Sequence, residues 1–132
     1  MKKTRFSQAV SAFIYHRGKF LLLKDHKSRW WMPPGGKVER AEFLIDALRR
    51  EVSEETSLKK FKVLMPFIYW QGLDNNYQRE GVSFLCLYQG GRVRCSDEHC
   101  QFSWFKPIEI EKLKITHDPE NFLLAEKMIK LI

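Results

Sequence analysis

Cysteine is scarce in this chain. Cys86, Cys95 and Cys100 are odd in number, and no two of them form a C-x-x-C pair. Cys95 and Cys100 flank Asp97, Glu98 and His99, but the ligand spacing of a structural zinc site is missing, so reduced, half-buried thiols are the expectation. Long apolar runs are missing too. No stretch approaches the roughly 18 apolar residues that a membrane span needs. The basic start MKKTRFSQAV is not followed by an apolar h-region. Neither a span nor a signal peptide is therefore expected, and the chain reads as cytoplasmic. Internal repeats, linkers and low-complexity tracts are absent, so residues 1–132 are expected to form a single domain with one core. No G-x-G-x-x-G follows a strand and no G-x-x-x-x-G-K-[ST] loop occurs, which argues against a Rossmann unit and a P-loop nucleotidase.

What is present suits a packed interior. Hydrophobic residues make up 44% and aromatic residues 14%, which argues against disorder. The net charge is +7. Such a surface attracts polyanions, either free nucleotides or nucleic acid, although the basic residues are scattered rather than striped along one helix.

The pattern of side chains predicts strands at residues 8–15 and 20–24, joined by a turn at His16-Arg17-Gly18-Lys19. The run WWMPPGG at 30–36 reads as a rigid irregular turn whose backbone can approach a ligand. A helix is expected over Glu42–Thr56, with Leu44, Ala47, Leu48 and Val52 as its apolar stripe. A long strand at 61–71, interrupted near Pro66, precedes a polar loop at 72–79 and a buried strand at 81–88. A hairpin turn is expected at 89–92 and another strand at 100–105. Pro107 opens a short helix through Leu113, and Asp118 caps a last helix with Pro119 in its first turn. Strands interleaved with two substantial helices predict an α/β fold, a mixed sheet covered by helices on both faces.

The first helix carries the chemistry. Glu51, Glu54 and Glu55 stand at i, i+3 and i+4, on one side of the helix and beside the continuation of its apolar stripe. Inward carboxylates need a cationic partner. Hard oxygen donors in this arrangement suit Mg²⁺ or Mn²⁺, and the run therefore points to metal-dependent chemistry on phosphate. Arg50, four residues before Glu54, can pair with it.

Gly36, five residues, Glu42, seven residues and then Arg50-Glu51-Val52-Ser53-Glu54-Glu55-Thr56-Ser57-Leu58 resembles the Nudix box. One defined position departs: Ser57 stands where the pattern has Gly, which ordinarily ends the helix in a left-handed conformation. The resemblance, over residues 36–58, implies a Nudix-type α/β/α sandwich with a mixed β-sheet between helices. It implies hydrolysis of a nucleoside diphosphate linked to another moiety, by a MutT-like enzyme that uses Mg²⁺, with Mn²⁺ as a substitute. Glu51, Glu54 and Glu55 would hold the metal, aided by the backbone carbonyl of Gly35, and Arg50 would orient them. Glu98, before the Trp104-Phe105 strand end, matches a further metal-binding or basic carboxylate of some members. Glu51 or Glu98 would take the proton of the attacking water. Lys37 is a candidate for phosphate contact; Trp31, Trp70 and Tyr77, with Trp30 and Tyr69, are candidates to stack on a base. Each of these also has an ordinary reading as core or surface cover. His99 and His117 are weaker acid–base candidates. A nucleoside triphosphate, in its normal or oxidised form, is the expected substrate. Two alternatives remain: removal of diphosphate from RNA 5′ ends, and a non-catalytic Nudix module that binds nucleotide or nucleic acid. Retention of every box carboxylate favours the enzyme.

Overall fold

The computed structural model describes residues 5–74, 76–95 and 101–132; Glu98, with Asp97, His99 and Cys100, lies outside them. The elements are β1 (Arg5–His16), β2 (Lys19–Lys24), β3 (Trp31–Met32), β4 (Gly35–Lys37), α1 (Leu44–Thr56), β5 (Phe61–Asp74), β6 (Tyr77–Tyr88), β7 (Gln101–Phe105), α2 (Pro107–Ile110) and α3 (Glu120–Leu131). β1 is the axis of a mixed sheet. It runs parallel to β6 from Arg5–Tyr77 to Tyr15–Leu87, and β6 pairs antiparallel with β5. On its other edge β1 meets β4 at Ala9–Ser11 and β2 only at Tyr15 and His16. β2 leaves β1 after that turn and takes β7 and β3 as antiparallel partners. Arg17 and Gly18, both at positive φ, make the two-residue turn between β1 and β2.

Alternation along β1 sends its side chains to two separate cores. Val10, Ala12 and Ile14 pack with Ala47, Leu48 and Val52 of α1. Phe13 packs with Phe20, Leu85, Phe122 and Ala125, beneath α3. The stripe read from the sequence is thus the buried face of α1, with Thr56 added at its end. The buried Thr56 hydroxyl donates to Val52 O at 2.6 Å and accepts from Leu58 N, so no polar atom there is stranded. Ser57 takes the left-handed conformation, φ 66°, and its N–H closes on Ser53 O. Ser therefore occupies the backbone geometry that favours Gly, at a cost of about 1 kcal/mol.

Several sequence expectations are corrected. α1 begins at Leu44, since Phe43 is extended and Ala41 has φ 62°; Glu42 stands outside the helix. WWMPPGG is not wholly irregular: Trp31–Met32 and Gly35–Lys37 are short strands held by β2 and β1. The polar loop at 72–79 is a continuation of β5 and β6, which pair out to Asp74–Tyr77. The interruption expected near Pro66 is present as two register shifts that flank it. Among the described residues no hairpin follows β6. Gly90 and Gly91 have positive φ, but Arg94 N donates to Thr56 O and the next strand pairs with β2. α2 stops at Ile110. Asp118 lies one residue before the N-cap Pro119, and its carboxylate accepts from Glu120 N at 3.0 Å.

Candidate active site

Two glycines and one helix set the acidic site. Gly36 pairs with Val10, so its α-carbon faces α1; a Cβ there would lie 2.4 Å from Glu51 Oε2. Gly35 runs against β1, where a Cβ would lie 2.1 Å from Val10 O. No other residue lets β4 approach both β1 and α1 this closely. Glu51 and Glu55, one turn apart, meet this strand. Gly35 N–H donates to Glu55 Oε1 at 2.8 Å. The family resemblance implies a metal role for the carbonyl of Gly35; its N–H is bonded to Glu55.

Arg50 is the hub of the charges. Its Nε and Nη2 grip both oxygens of Glu42 at 2.8 and 3.0 Å. Its Nη1 donates to Glu51 Oε1 at 2.9 Å and reaches Glu54 Oε2 at 3.4 Å, and Nη2 also donates to Lys37 O at 3.0 Å. The forked guanidinium, with the Glu39 N–H, holds the Glu42 carboxyl down to about 2. In the sequence Glu42 stood only as a defined position of the Nudix box, with no role attached. It is the anchor that fixes Arg50 and, through it, the loop at 37–42.

The carboxylates do not share one environment. The side chain of Glu51 is 17% exposed and that of Glu54 is 59% exposed. The expectation that all three point inward is therefore corrected: Glu54 lies off the Ala47–Glu51–Glu55 column and faces solvent. Burial raises Glu55 to about 7, the Gly35 N–H opposes this, and the charges of Glu51 and Glu54 add to it. No ion pair among the described residues includes Glu55. Among the described residues no three acidic, His or Cys side chains already converge as a metal cluster, because Glu51 and Glu54 are turned to Arg50. The donor set nevertheless fits a hard divalent cation: oxygens only, three carboxylates within two turns, and one half-buried without a countercharge.

A cleft of about 700 Å³ opens beside Glu51. Lys37 and Arg40 line it on one side, and Phe6, Ser7 and Gln8 of β1 on the other. Lys37 pairs with Ala9, Ala9 with Gly81, and Gly81 with Trp70, so these four share a row on the face opposite α1. The Trp70 indole lies over Gly81, where a Cβ would sit 2.3 Å from the ring. Tyr77 is on the same face, paired with Arg5. Lys37, Trp70 and Tyr77 are thus brought together. Trp31 is not among them: it sits edge-on to Phe105 at 4.9 Å in the core beneath α3, with Lys24 Nζ 5.6 Å from its ring. Trp30 carries Lys114 on its ring, and the Tyr69 hydroxyl donates to Glu80 on the α1 face. His117 is packed against Phe13, and burial lowers its pKa. Glu98 lies outside the described residues.

Comparison with known proteins places this geometry. The NUDIX domain family matches residues 5–125. A Bacillus subtilis (strain 168) protein called an uncharacterised Nudix hydrolase, YvcI, is 45% identical over 117 residues, covering 83% of this chain and 72% of that protein. An 8-oxo-dGTP diphosphatase of Buchnera aphidicola subsp. Schizaphis graminum is 27% identical, covering 97% of each chain. The crystal structure of a MutT protein from Methanosarcina mazei Go1 superposes with a TM-score of 0.75 at 26% identity, covering 98% of this chain and 99% of that one.

Proposed function

The chain belongs to the Nudix hydrolase family, and from that premise we propose that it is a Mg²⁺-dependent pyrophosphohydrolase acting on a nucleoside triphosphate, in its normal or oxidised form. The observation that carries this reading is the acidic face of α1 packed against Gly35 and Gly36. Glu51, Glu54 and Glu55 would hold Mg²⁺, for which Mn²⁺ can substitute. Such a cation, when bound, neutralises phosphate oxygens and acidifies a water. The chain's own groups do the rest. Arg50 keeps Glu51 beside the glycine strand and supplies positive charge at the cleft. Glu51, half-buried, accepts the proton of the attacking water, and Glu98 is the second candidate for that step. The water oxygen bonds to phosphorus and the bridging P–O bond breaks toward the leaving phosphate. Lys37, on the cleft wall, contacts phosphate, and the Trp70 and Tyr77 rings offer faces to a base. The resemblance of the whole chain to an 8-oxo-dGTP diphosphatase supports the nucleotide substrate. No helix among the described residues is long and apolar enough to cross a membrane.

The test is a panel of nucleoside triphosphates, oxidised forms included, incubated with Mg²⁺ and assayed for pyrophosphate and phosphate. At least one member is expected to release pyrophosphate in a chelator-sensitive reaction. Metal binding without hydrolysis of any member would overturn the reading in favour of a non-catalytic module.

A further inference from the structure

A polar relay crosses three strands to reach the cleft beside Glu51, and neither the box carboxylates nor the stacking rings take part in it. Gln8, Glu80 and Gln71 are paired in one row across β1, β6 and β5, on the face that carries α1. Gln8 lines the cleft. Its backbone carbonyl accepts from Val38 N–H at 2.8 Å, which ties it to the loop that Arg50 holds through Lys37 O. Its side chain donates from Nε2 to Glu80 Oε1 at 2.8 Å, and the Tyr69 hydroxyl donates to Glu80 Oε2, also at 2.8 Å. The bond from Gln8, and then that from Tyr69, hold the Glu80 carboxyl below its usual range. An ionised carboxylate only accepts, so the Gln8 amide must turn its nitrogen to Glu80 and its oxygen away. β6 lies on one side of Gln8 and the cleft on the other. No described group donates to Gln8 Oε1, and no described side-chain oxygen is buried without a partner, so this oxygen is an accessible acceptor at the cleft.

We propose that Gln8 selects the sugar of the nucleotide: its Oε1 accepts a hydrogen bond from a ribose hydroxyl, and Glu80 and Tyr69 are positioning residues that keep that oxygen in place. The assignment rests on the pyrophosphohydrolase reading and narrows its substrate to a ribonucleotide. Gln8 stands two residues from Val10, the partner of Gly36, about 7 Å along β1. Glu51 meets that same glycine. An acceptor so close to the point of cleavage faces the group that follows the phosphates. In a nucleotide this is the sugar, and its hydroxyls are the first donors along the molecule. Ionised phosphate oxygens have no proton to give to Gln8. The base, on Trp70 and Tyr77, lies on the opposite face of the sheet. Glu80 is what makes Gln8 selective. A carboxamide free to turn presents either its oxygen or its nitrogen, and so accommodates a sugar with or without the hydroxyl. A fixed oxygen loses its partner when the hydroxyl is missing, and a site built around a hydroxyl discriminates against the analogue that lacks it.

Calorimetry with non-hydrolysable α,β-methylene nucleoside triphosphates tests this in the presence of Mg²⁺. The base is the one turned over fastest in the nucleotide panel, supplied in its ribo, 2′-deoxy and 3′-deoxy forms. The wild type is expected to bind the ribo form roughly tenfold more tightly than at least one deoxy form. Gln8→Leu and Glu80→Leu are each expected to bring that ratio to within about twofold, chiefly by weakening the ribo form. Tyr69→Phe, which removes only the outer bond of the relay, is expected to leave a ratio of about threefold or more. A side chain needed only for folding weakens all three forms alike, and a thermal melt checks that each variant folds. Equal affinity of the wild type for the three sugars, or a ratio unmoved by Gln8→Leu, overturns the proposal. A ratio that collapses in Gln8→Leu but not in Glu80→Leu overturns the positioning role of Glu80. Because binding is read without turnover, an active enzyme indifferent to the sugar refutes the role of Gln8 alone, whereas a panel without hydrolysis removes the hydrolase reading and this assignment with it.

Discussion

Against α1 the sheet presents Val10, Ala12 and Ile14, and against α3 it presents Phe13 among Phe20, Phe122 and Phe67. Phe13 and Phe122 stack at 4.2 Å with planes 3° apart, and Phe67 meets Phe13 edge-on at 5.5 Å. The aliphatic side lets a helix and a glycine strand come close enough to clamp carboxylates between them. The aromatic side continues outward, past its helix, into Trp70 and Tyr77 with their flanking cations. The carboxylates of α1, with Arg50 among them, thus lie on one face and Arg5 and Arg79 on the other, with Lys37 at the junction. The account assigns bond cleavage to the first face and stacking of the base to the second.

The largest effects are expected on the α1 face. Glu51→Gln and Glu55→Gln keep the shape of the side chain and remove its charge, and each is expected to lower kcat by 10²- to 10⁴-fold, roughly the worth of a general base or a metal ligand. Glu98→Gln is expected to cost roughly tenfold, less than either change on α1. Turnover of the three variants at saturating Mg²⁺ decides this. If Glu98→Gln is the most damaged, the base belongs to the segment before β7, and the helix serves the cation alone.

How much of this comparison the sequence contained differs between the two faces. The spacing from Gly36 to Leu58 is local, and so were the stripe of α1, the left-handed position at Ser57 and the cluster of carboxylates. The orientation of Glu54 was misread because i+3 and i+4 neighbours were treated as one direction, although 100° per residue carries Glu54 away from the Glu51–Glu55 column. The opposite face was largely hidden. Lys37, Trp70 and Tyr77 are far apart in sequence, and only the parallel pairing of β1 with β6 sets them in adjacent rows. Arg5 and Arg79 carried no signal at all, since a cation at a strand end reads as surface. Gln89-Gly90-Gly91-Arg92 was read as a hairpin turn, and both glycines do take positive φ. Tyr88 Oη donates to Gly91 O within the segment, and Arg94 N donates to Thr56 O, which ties it to the end of α1 instead.

A smaller effect is expected at the end of α1. Ser57→Gly removes the left-handed penalty at φ 66° without touching the site. It is expected to raise the melting temperature by about 3 °C and to leave turnover within twofold. A large loss of activity with normal metal binding would give the Ser57 hydroxyl a chemical role on the α1 face.

The division between the faces stands on the carboxylates being a cation site. Calorimetric titration of Mn²⁺ into the wild type and Glu54→Gln tests that most directly. The account predicts at least a tenfold weaker affinity for Glu54→Gln at pH 8. It also predicts wild-type affinity that falls as the pH drops below about 7, where Glu55 takes up a proton that the cation must displace. Equal affinities in the two proteins, with no dependence on pH across that range, would contradict it.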